Sequence, residues 1–331
     1  MTKKLLVGID LGGTSLMAVV TTPKGEILGR KKVKTNAEEG ANAVLGRIVD
    51  TAKAAAADAG VKLRDVRAIG VGFPGPLDPE TGVVFHAPNL GPTWNNLALT
   101  DYLTEKLGPP AYLGNDVNVG AIGEHALGAG RGVRSLVSIF VGTGIGGGII
   151  LNGKLHFGAR NTAGEVGHTV VLADGPLCGC GKRGCVEAMA SRTAIERDIH
   201  AGLEAGRESL LPQIWQEMGR TDLSSSVLAA ALARGDPLVT EVMQTSQYYM
   251  GLLVANLVNI LEPEVIVFGG GLVEQLGDIY LDPVRETAEQ YYLNQQDKDK
   301  IRVVASALKD YAGVLGAAIM ANRAWKRAHK A

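Results

Sequence analysis

Short apolar runs alternate with glycine turns over the first part of the chain. Leu5 to Asp10, Leu16 to Thr21 and Ile27 to Val33 are strand-sized runs rich in Val, Ile and Leu, and Gly12-Gly13-Thr14 separates the first two. This pattern predicts consecutive antiparallel strands joined by tight turns. Ala41 to Ala59 is alanine-rich with few breakers and predicts a helix, and Val66 to Val71 predicts the next buried strand. A short strand over Ala111 to Leu113 then precedes an alanine- and glycine-rich helix over Val119 to Leu127.

The same cycle returns further on. Ser135 to Val141 is apolar, Gly142-Thr143-Gly144 is a turn, and Gly146 to Leu151 is a glycine-rich strand. Strand, glycine turn with a threonine and returning strand thus occur at Val7 to Val20 and again at Phe140 to Leu151, a weak internal repeat that predicts two related halves facing a cleft. Leu238 to Leu261 predicts a long apolar helix feeding a strand over Glu264 to Phe268 that ends in Gly269-Gly270-Gly271. The last predicted helix runs from Gly313 to Lys326. No Pro/Ser-rich linker divides the halves, so a boundary near residue 118 follows from the repeat and not from composition.

Composition narrows the function classes. The chain has 331 residues, net charge -1 and 5% aromatics, so neither a basic field nor a base-stacking surface for nucleic acid is expected. The first apolar run ends at Asp10 and no run reaches membrane length, so the expected location is the cytoplasm, without a membrane partner. In a reducing compartment, the clustered Cys178, Cys180 and Cys185 point to a metal site and not to a disulfide frame.

Four groups of residues carry candidate chemistry. The two glycine–threonine turns expose backbone N–H groups and hydroxyls suited to a polyphosphate, and Asp10 at the end of the first strand is placed to serve Mg²⁺ directly or through water. Neither turn is a P-loop or a dinucleotide fingerprint, because the G-x-x-x-x-G-K-[ST] pattern is lacking and Gly142 to Gly148 leads into a strand. Cys178-x-Cys180-x4-Cys185 offers three thiolates, and His168 is the nearest histidine to close a tetrahedral structural Zn²⁺ site. Such a site would hold Glu165 and Glu187 beside it, as acceptors for neighbouring sugar hydroxyls. Asp116 in Gly114-Asn115-Asp116-Val117-Asn118 lies at a predicted helix start. It is either the helix cap or a general base, and both roles are open to it if Asn115 or Asn118 shares the capping.

These motifs together resemble the bacterial ROK family (repressors, open reading frames and sugar kinases) of the actin-like ATPase superfamily, over nearly the full length. The residues that carry the resemblance are Gly8-Ile-Asp-Leu-Gly-Gly-Thr14, Gly72-Phe-Pro-Gly-Pro76, Ala87-Pro-Asn-Leu90 with Trp94, and Asn115-Asp116. They continue through Gly142-Thr-Gly-Ile-Gly-Gly-Gly148, Glu165-x-x-His168, the cysteine loop with Glu187, and Gly269 to Gly271.

The resemblance implies two ribonuclease H-like α/β domains with mixed sheets flanked by helices around a cleft. Residues 1–117 with 313–331 would form the small domain, and 118–312 the large one, with the zinc loop and the dimerisation surface. It implies Asp116 as the base that takes the proton from a sugar hydroxyl, and Gly75, Asn89, Asn115, Glu165, His168 and Glu187 around the sugar. Gly12, Gly13, Thr14, Thr143 and Gly144 would hold ATP phosphates, Gly270 and Gly271 the adenosine, and Asp10 the Mg²⁺; His168, Cys178, Cys180 and Cys185 would bind zinc.

The reaction so implied is ATP-dependent hexose phosphorylation, with glucose expected because the Glu-x-x-His and cysteine set most resembles ROK glucokinases. N-acetylglucosamine, N-acetylmannosamine, mannose, fructose and allose kinases share most of these residues, and polyphosphate is an alternative donor. Family habit implies a homodimer or homotetramer. Many relatives are sugar-responsive repressors with a helix-turn-helix ahead of the first phosphate motif; a first strand beginning by Lys4 leaves no room for one, so an enzyme is expected. A sugar-binding scaffold without catalysis would lack the base or the turns, and this chain keeps both.

Overall fold

The structure, a computed structural model, describes residues 5–87 and 90–329. Its opening strands follow the apolar runs. β1 (Leu5–Leu11) pairs antiparallel with β2 (Ser15–Thr21), and β2 with β3 (Ile27–Lys34). After α1 (Ala41–Asp58) the chain enters β4 (Val66–Phe73), parallel to β1. Three short strands, β5 (Leu77–Asp78), β6 (Val83–Val84) and β7 (Leu97–Ala98), form a small separate sheet that the apolar pattern did not predict. Two-residue strands leave no periodicity to detect. α2 (Leu99–Leu107) leads to β8 (Ala111–Asn115), parallel to β4, and then to α3 (Asp116–Leu127).

β9 (Leu136–Val141) turns at residues 142–144 into β10 (Ile145–Leu151), followed by β11 (Lys154–Leu155). A long irregular segment ends in α4 (Glu187–Ala190), and α5 (Arg192–Glu204), α6 (Leu211–Met218), α7 (Ser225–Ala233) and α8 (Pro237–Leu261) follow. β12 (Val265–Gly269) pairs parallel with β9, and after α9 (Gly271–Leu276) and α10 (Asp278–Gln290) β13 (Arg302–Ala305) pairs parallel with β12. α11 (Ala312–Ala328) closes the chain.

The expected repeat has a topological counterpart. One sheet has the order β3-β2-β1-β4-β8 and the other β11-β10-β9-β12-β13, so hairpin strands and parallel strands succeed one another in the same way. The fold is the mixed α/β class expected, with sheets flanked by helices.

The chain separates into two units, Met1–Val133 with Gly148–Ala163 and Asp310–Ala331, and Arg134–Gly147 with Gly164–Lys309. The expected cut at 117/118 would fall inside α3. That helix stays with the first unit because it packs on α11 at van der Waals contact. A Cβ on Gly316 would come 1.7 Å from the Val119 carbonyl oxygen, and one on Gly123 would come 2.3 Å from that of Ala312. α11 also lies directly on β1 and β4, where Gly8 and Gly70 face the Val314 and Ala317 carbonyls.

The first unit's core joins Val7, Ile9, Val44, Ile48, Ile69 and Val71 with Phe73 and the fully buried Trp94, whose rings are 5.0 Å apart. In the second unit α8 is the central helix. Asp236 caps it by accepting from Val239 N at 2.8 Å, Pro237 opens it, and Leu238, Val242, Leu253 and Val254 are buried. Among the described residues no helix is long and apolar enough to cross a membrane.

Candidate active site

In the first unit the parallel strands β1, β4 and β8 bring their carboxyl ends side by side, the usual place for ligands in such sheets. Asp10 lies at the end of β1, Gly75 just beyond β4 with φ 113, and Asn115 and Asp116 at the junction of β8 and α3. Gly72 holds the first and last of these together. A Cβ there would lie 2.7 Å from Val119 Cγ2, 3.3 Å from Asp10 Oδ1 and 3.6 Å from Asp116 Cα, so glycine lets α3 pack closely on β4 between the two acidic positions.

Asn115, and not Asp116, is the helix cap. Its Oδ1 accepts from Asn118 N at 3.2 Å, and its Nδ2 donates to Asp116 Oδ1 at 3.0 Å. Val117 N donates to the same Asp116 oxygen at 2.9 Å. α3 therefore starts three positions before the expected Val119, and the capping duty falls on Asn115 while Asp116 is oriented by two donors.

Asp10 is electrostatically unusual. Its carboxyl is enclosed against the start of α11, where a Cβ on Gly313 would come 2.4 Å from Oδ2. Burial above all, then the negative charges of Asp116 and Asp310, push its pKa from the ordinary 3.8 up to about 7, with Lys32 pulling the other way. Between these two values the folded chain keeps a proton that the unfolded chain has lost, so this group's contribution to stability falls as pH rises through that window. Asp10→Asn is therefore expected to stabilise the cation-free protein at pH 8 and to have little effect at pH 4. One pKa unit corresponds to about 1.4 kcal/mol, and a gain on the order of 2 kcal/mol at pH 8 is expected. Urea unfolding of both proteins across this range measures it.

The turn Gly12-Gly13-Thr14 follows Asp10. Gly12 N donates to Ser15 O at 2.9 Å, and Thr35 holds the turn from the next hairpin, its Oγ1 donating to Gly12 O at 2.6 Å and its N to Thr14 O at 2.9 Å. Gly13 and Thr14 are exposed. Asn89 lies outside the described residues.

In the second unit β9 and β12 end side by side. The turn carrying Thr143 and Gly144 follows β9, and Gly270 and Gly271 follow β12. Gly270 has φ 100, and a Cβ on it would come 2.1 Å from Val141 O, so glycine alone allows this crossing of the two strand ends.

The third group is the thiol–imidazole cluster. Glu165 is exposed and precedes a single 3-10 turn, Val166–His168, that presents His168. Cys178 Sγ is 3.7 Å from His168 Nδ1, Cys180 Sγ is 3.7 Å from Cys185 Sγ, and all four ligand atoms lie within 4.8 Å of one another. A tetrahedral ion with metal–sulfur bonds of about 2.3 Å has ligand–ligand edges of about 3.8 Å, so the donors fit a tetrahedral thiophilic cation. Burial pushes the Cys178 thiol up to about 12 and also raises Cys185, whereas the Lys182 backbone N–H lowers Cys180. The cluster thus contains one thiolate-favouring position and two buried thiols that a cation would deprotonate. Glu187 opens α4 beside it, with Oε1 3.4 Å from Cys178 Sγ and 3.9 Å from His168 Nδ1.

The chain has relatives over nearly its whole length. It matches the ROK family profile over residues 6–324. The chain belongs to the ROK family. It is 36% identical to a glucokinase of Halalkalibacterium halodurans over 96% of this chain and 94% of that protein. Among solved ROK structures it is 35% identical to a hexokinase from Thermus thermophilus, with a TM-score of 0.80 over 98% of this chain and 99% of that one. A ROK family glucokinase from Streptomyces griseus, solved in complex with glucose and AMPPNP, is 31% identical with a TM-score of 0.81, over 96% and 99% of the two chains.

Three positions in this ROK chain were given no role at the site by sequence reasoning. Gly72 and Gly313 shape the enclosure of Asp10, and Thr193 donates from Oγ1 to Thr143 O at 2.8 Å. Gly72 and Gly313 do stand in the sequence as glycines at a strand end and a helix start. Thr193 carries no local signal, because its partner is 50 positions away.

Proposed function

We propose that this chain is an ATP-dependent glucokinase with Asp116 as the general base. The observation that carries this reading is the division of labour at the start of α3: Asn115 caps the helix, and Asp116 is left oriented by Val117 N and Asn115 Nδ2. Asp116 accepts the proton of the glucose 6-hydroxyl as its oxygen attacks the γ-phosphorus. The bond to the β-phosphate oxygen breaks, and ADP and glucose 6-phosphate leave. The turns at Gly12–Thr14 and Thr143–Gly144 hold the phosphates, Gly270 and Gly271 face the adenosine, and Asp10 serves Mg²⁺, whose charge offsets that on the phosphates.

Gly75, Asn89, Asn115, Glu165, His168 and Glu187 serve the sugar, and His168 with Cys178, Cys180 and Cys185 holds a structural Zn²⁺. With Nδ1 directed at the cluster, His168 keeps Nε2 for a sugar hydroxyl. The enzyme would work in the cytoplasm as a homodimer or homotetramer.

A coupled assay over glucose, mannose, fructose, allose, N-acetylglucosamine and N-acetylmannosamine, with ATP and then polyphosphate, tests the reading. Glucose with ATP is expected to give the highest kcat/KM. A higher value for an N-acetylhexosamine reassigns the substrate, and no turnover of any sugar removes the kinase.

A further inference from the structure

The turn at 142–144 is closed by Gly142 N donating to Gly144 O at 2.9 Å, and it is also held from outside its own hairpin, in part by Glu187 beside the Cys–His cluster. Glu187 uses its two oxygens in opposite directions. Oε1 faces Cys178 and His168, and Oε2 accepts from Ile145 N at 2.9 Å, where a Cβ on Gly144 would come within 2.4 Å of it. Two further bonds follow within the same stretch of chain: Arg192 N donates to Gly142 O at 3.0 Å, and Thr193 Oγ1 donates to Thr143 O. On the other side the His168 turn lies against the start of β10, with Gly167 packed on Ile145 O and Gly147 on Val166.

We propose that Glu187 is a positioning residue for the nucleotide turn, through which the Cys–His cluster sets the affinity for ATP and not only the sugar carboxylates. The proposal rests on the kinase reading above. Its physical basis is that a turn whose exposed N–H groups must converge on phosphate gains affinity from being fixed beforehand. The Gly142–Ile145 backbone is fixed by an acceptor that begins only two residues after a cluster ligand, Cys185. A cation that holds the cysteines holds Glu187, and Glu187 holds Ile145 N. In a purely sugar-binding role Glu187 would leave nucleotide binding untouched when no sugar is present.

Calorimetric titration of the zinc-loaded protein with AMPPNP and Mg²⁺, in the absence of sugar, separates these roles. Glu187→Ala is expected to weaken AMPPNP about tenfold, the usual effect of losing a charge-assisted hydrogen bond. Glu187→Gln, whose amide oxygen can still accept from Ile145 N, is expected to stay within about threefold of wild type. Thr193→Val, which touches none of the proposed ligand residues except through Thr143 O, is expected to weaken AMPPNP about fivefold without changing the glucose Kd. Wild type stripped with 1,10-phenanthroline and resupplied with Mg²⁺ is expected to behave like Glu187→Ala.

If Glu187→Ala does not fold, Thr193→Val and the stripped wild type carry the test. Unchanged AMPPNP affinity in the folded variants and in the stripped protein overturns the inference while leaving the kinase in place. Wild type that binds no AMPPNP at all removes the kinase reading and this inference together.

Discussion

Asp116→Asn is expected to lower kcat for glucose phosphorylation by about 10² to 10⁴-fold, the usual contribution of a general base, with the fold intact. The geometry makes this variant informative. Asparagine keeps an oxygen for Val117 N and Asn115 Nδ2, and the cap on Asn118 N comes from Asn115, so α3 loses nothing it depends on. Thermal unfolding should therefore match wild type within a few degrees, and the loss should appear in kcat with little change in the glucose KM, since a proton acceptor acts in the transition state. Near-full activity of Asp116→Asn would falsify the base assignment. Asn115→Ala makes the converse comparison: it removes the cap and is expected to cost about 1 kcal/mol of stability.

The contrast between Asn115 and Asp116 also marks what the sequence could and could not convey. Apolar runs located β1, β2, β4, β9 and β12, because strands buried on both faces need unbroken apolar stretches. The glycine turns were legible for the same kind of reason, since few other residues tolerate them. Which of two adjacent polar residues caps α3 was not legible, because that depends on where the helix begins, and α3 begins at Asp116, three positions ahead of its apolar stretch. That α3 belongs with α11 was not legible, because the two helices meet through Gly123 and Gly316, a tertiary contact with no local signature. The raised pKa of Asp10 belongs to the same class, for it needs Asp116, Asp310 and the start of α11 around it. The gathering of His168, Cys178, Cys180 and Cys185 was legible because candidate metal ligands carry their own spacing. What spacing could not give was the second direction of Glu187, toward Ile145 N.

The second large effect concerns that cluster. Cys185→Ser is expected to remove bound zinc, from one ion per chain to a small fraction, and to lower kcat/KM for glucose by more than about 100-fold, beyond what loss of a residue that merely orients a ligand costs. The segment between the His168 turn and α4 explains why. It has no regular element of its own, only the isolated bridges Val170–Cys185 and Leu177–Arg183. Its apolar core is a patch of Cys178, Cys185 and Ala188, while Val170, Leu172 and Leu177 are 52%, 42% and 61% exposed. A loop with so little buried apolar surface does little to offset its own ordering entropy, so a cation cross-linking its four candidate ligands is expected to supply much of its order. α8, β9 and β12 carry buried apolar positions outside the loop, so the loss is expected to be local. Far-UV circular dichroism should hardly change, while a protease such as trypsin should cut the variant at Lys182 or Arg183 much faster than wild type. Zinc-free Cys185→Ser protein that keeps its protection at these bonds and its glucose kcat/KM would make the cluster an ornament of the fold, and Glu165 and Glu187 would then owe their positions to the backbone alone.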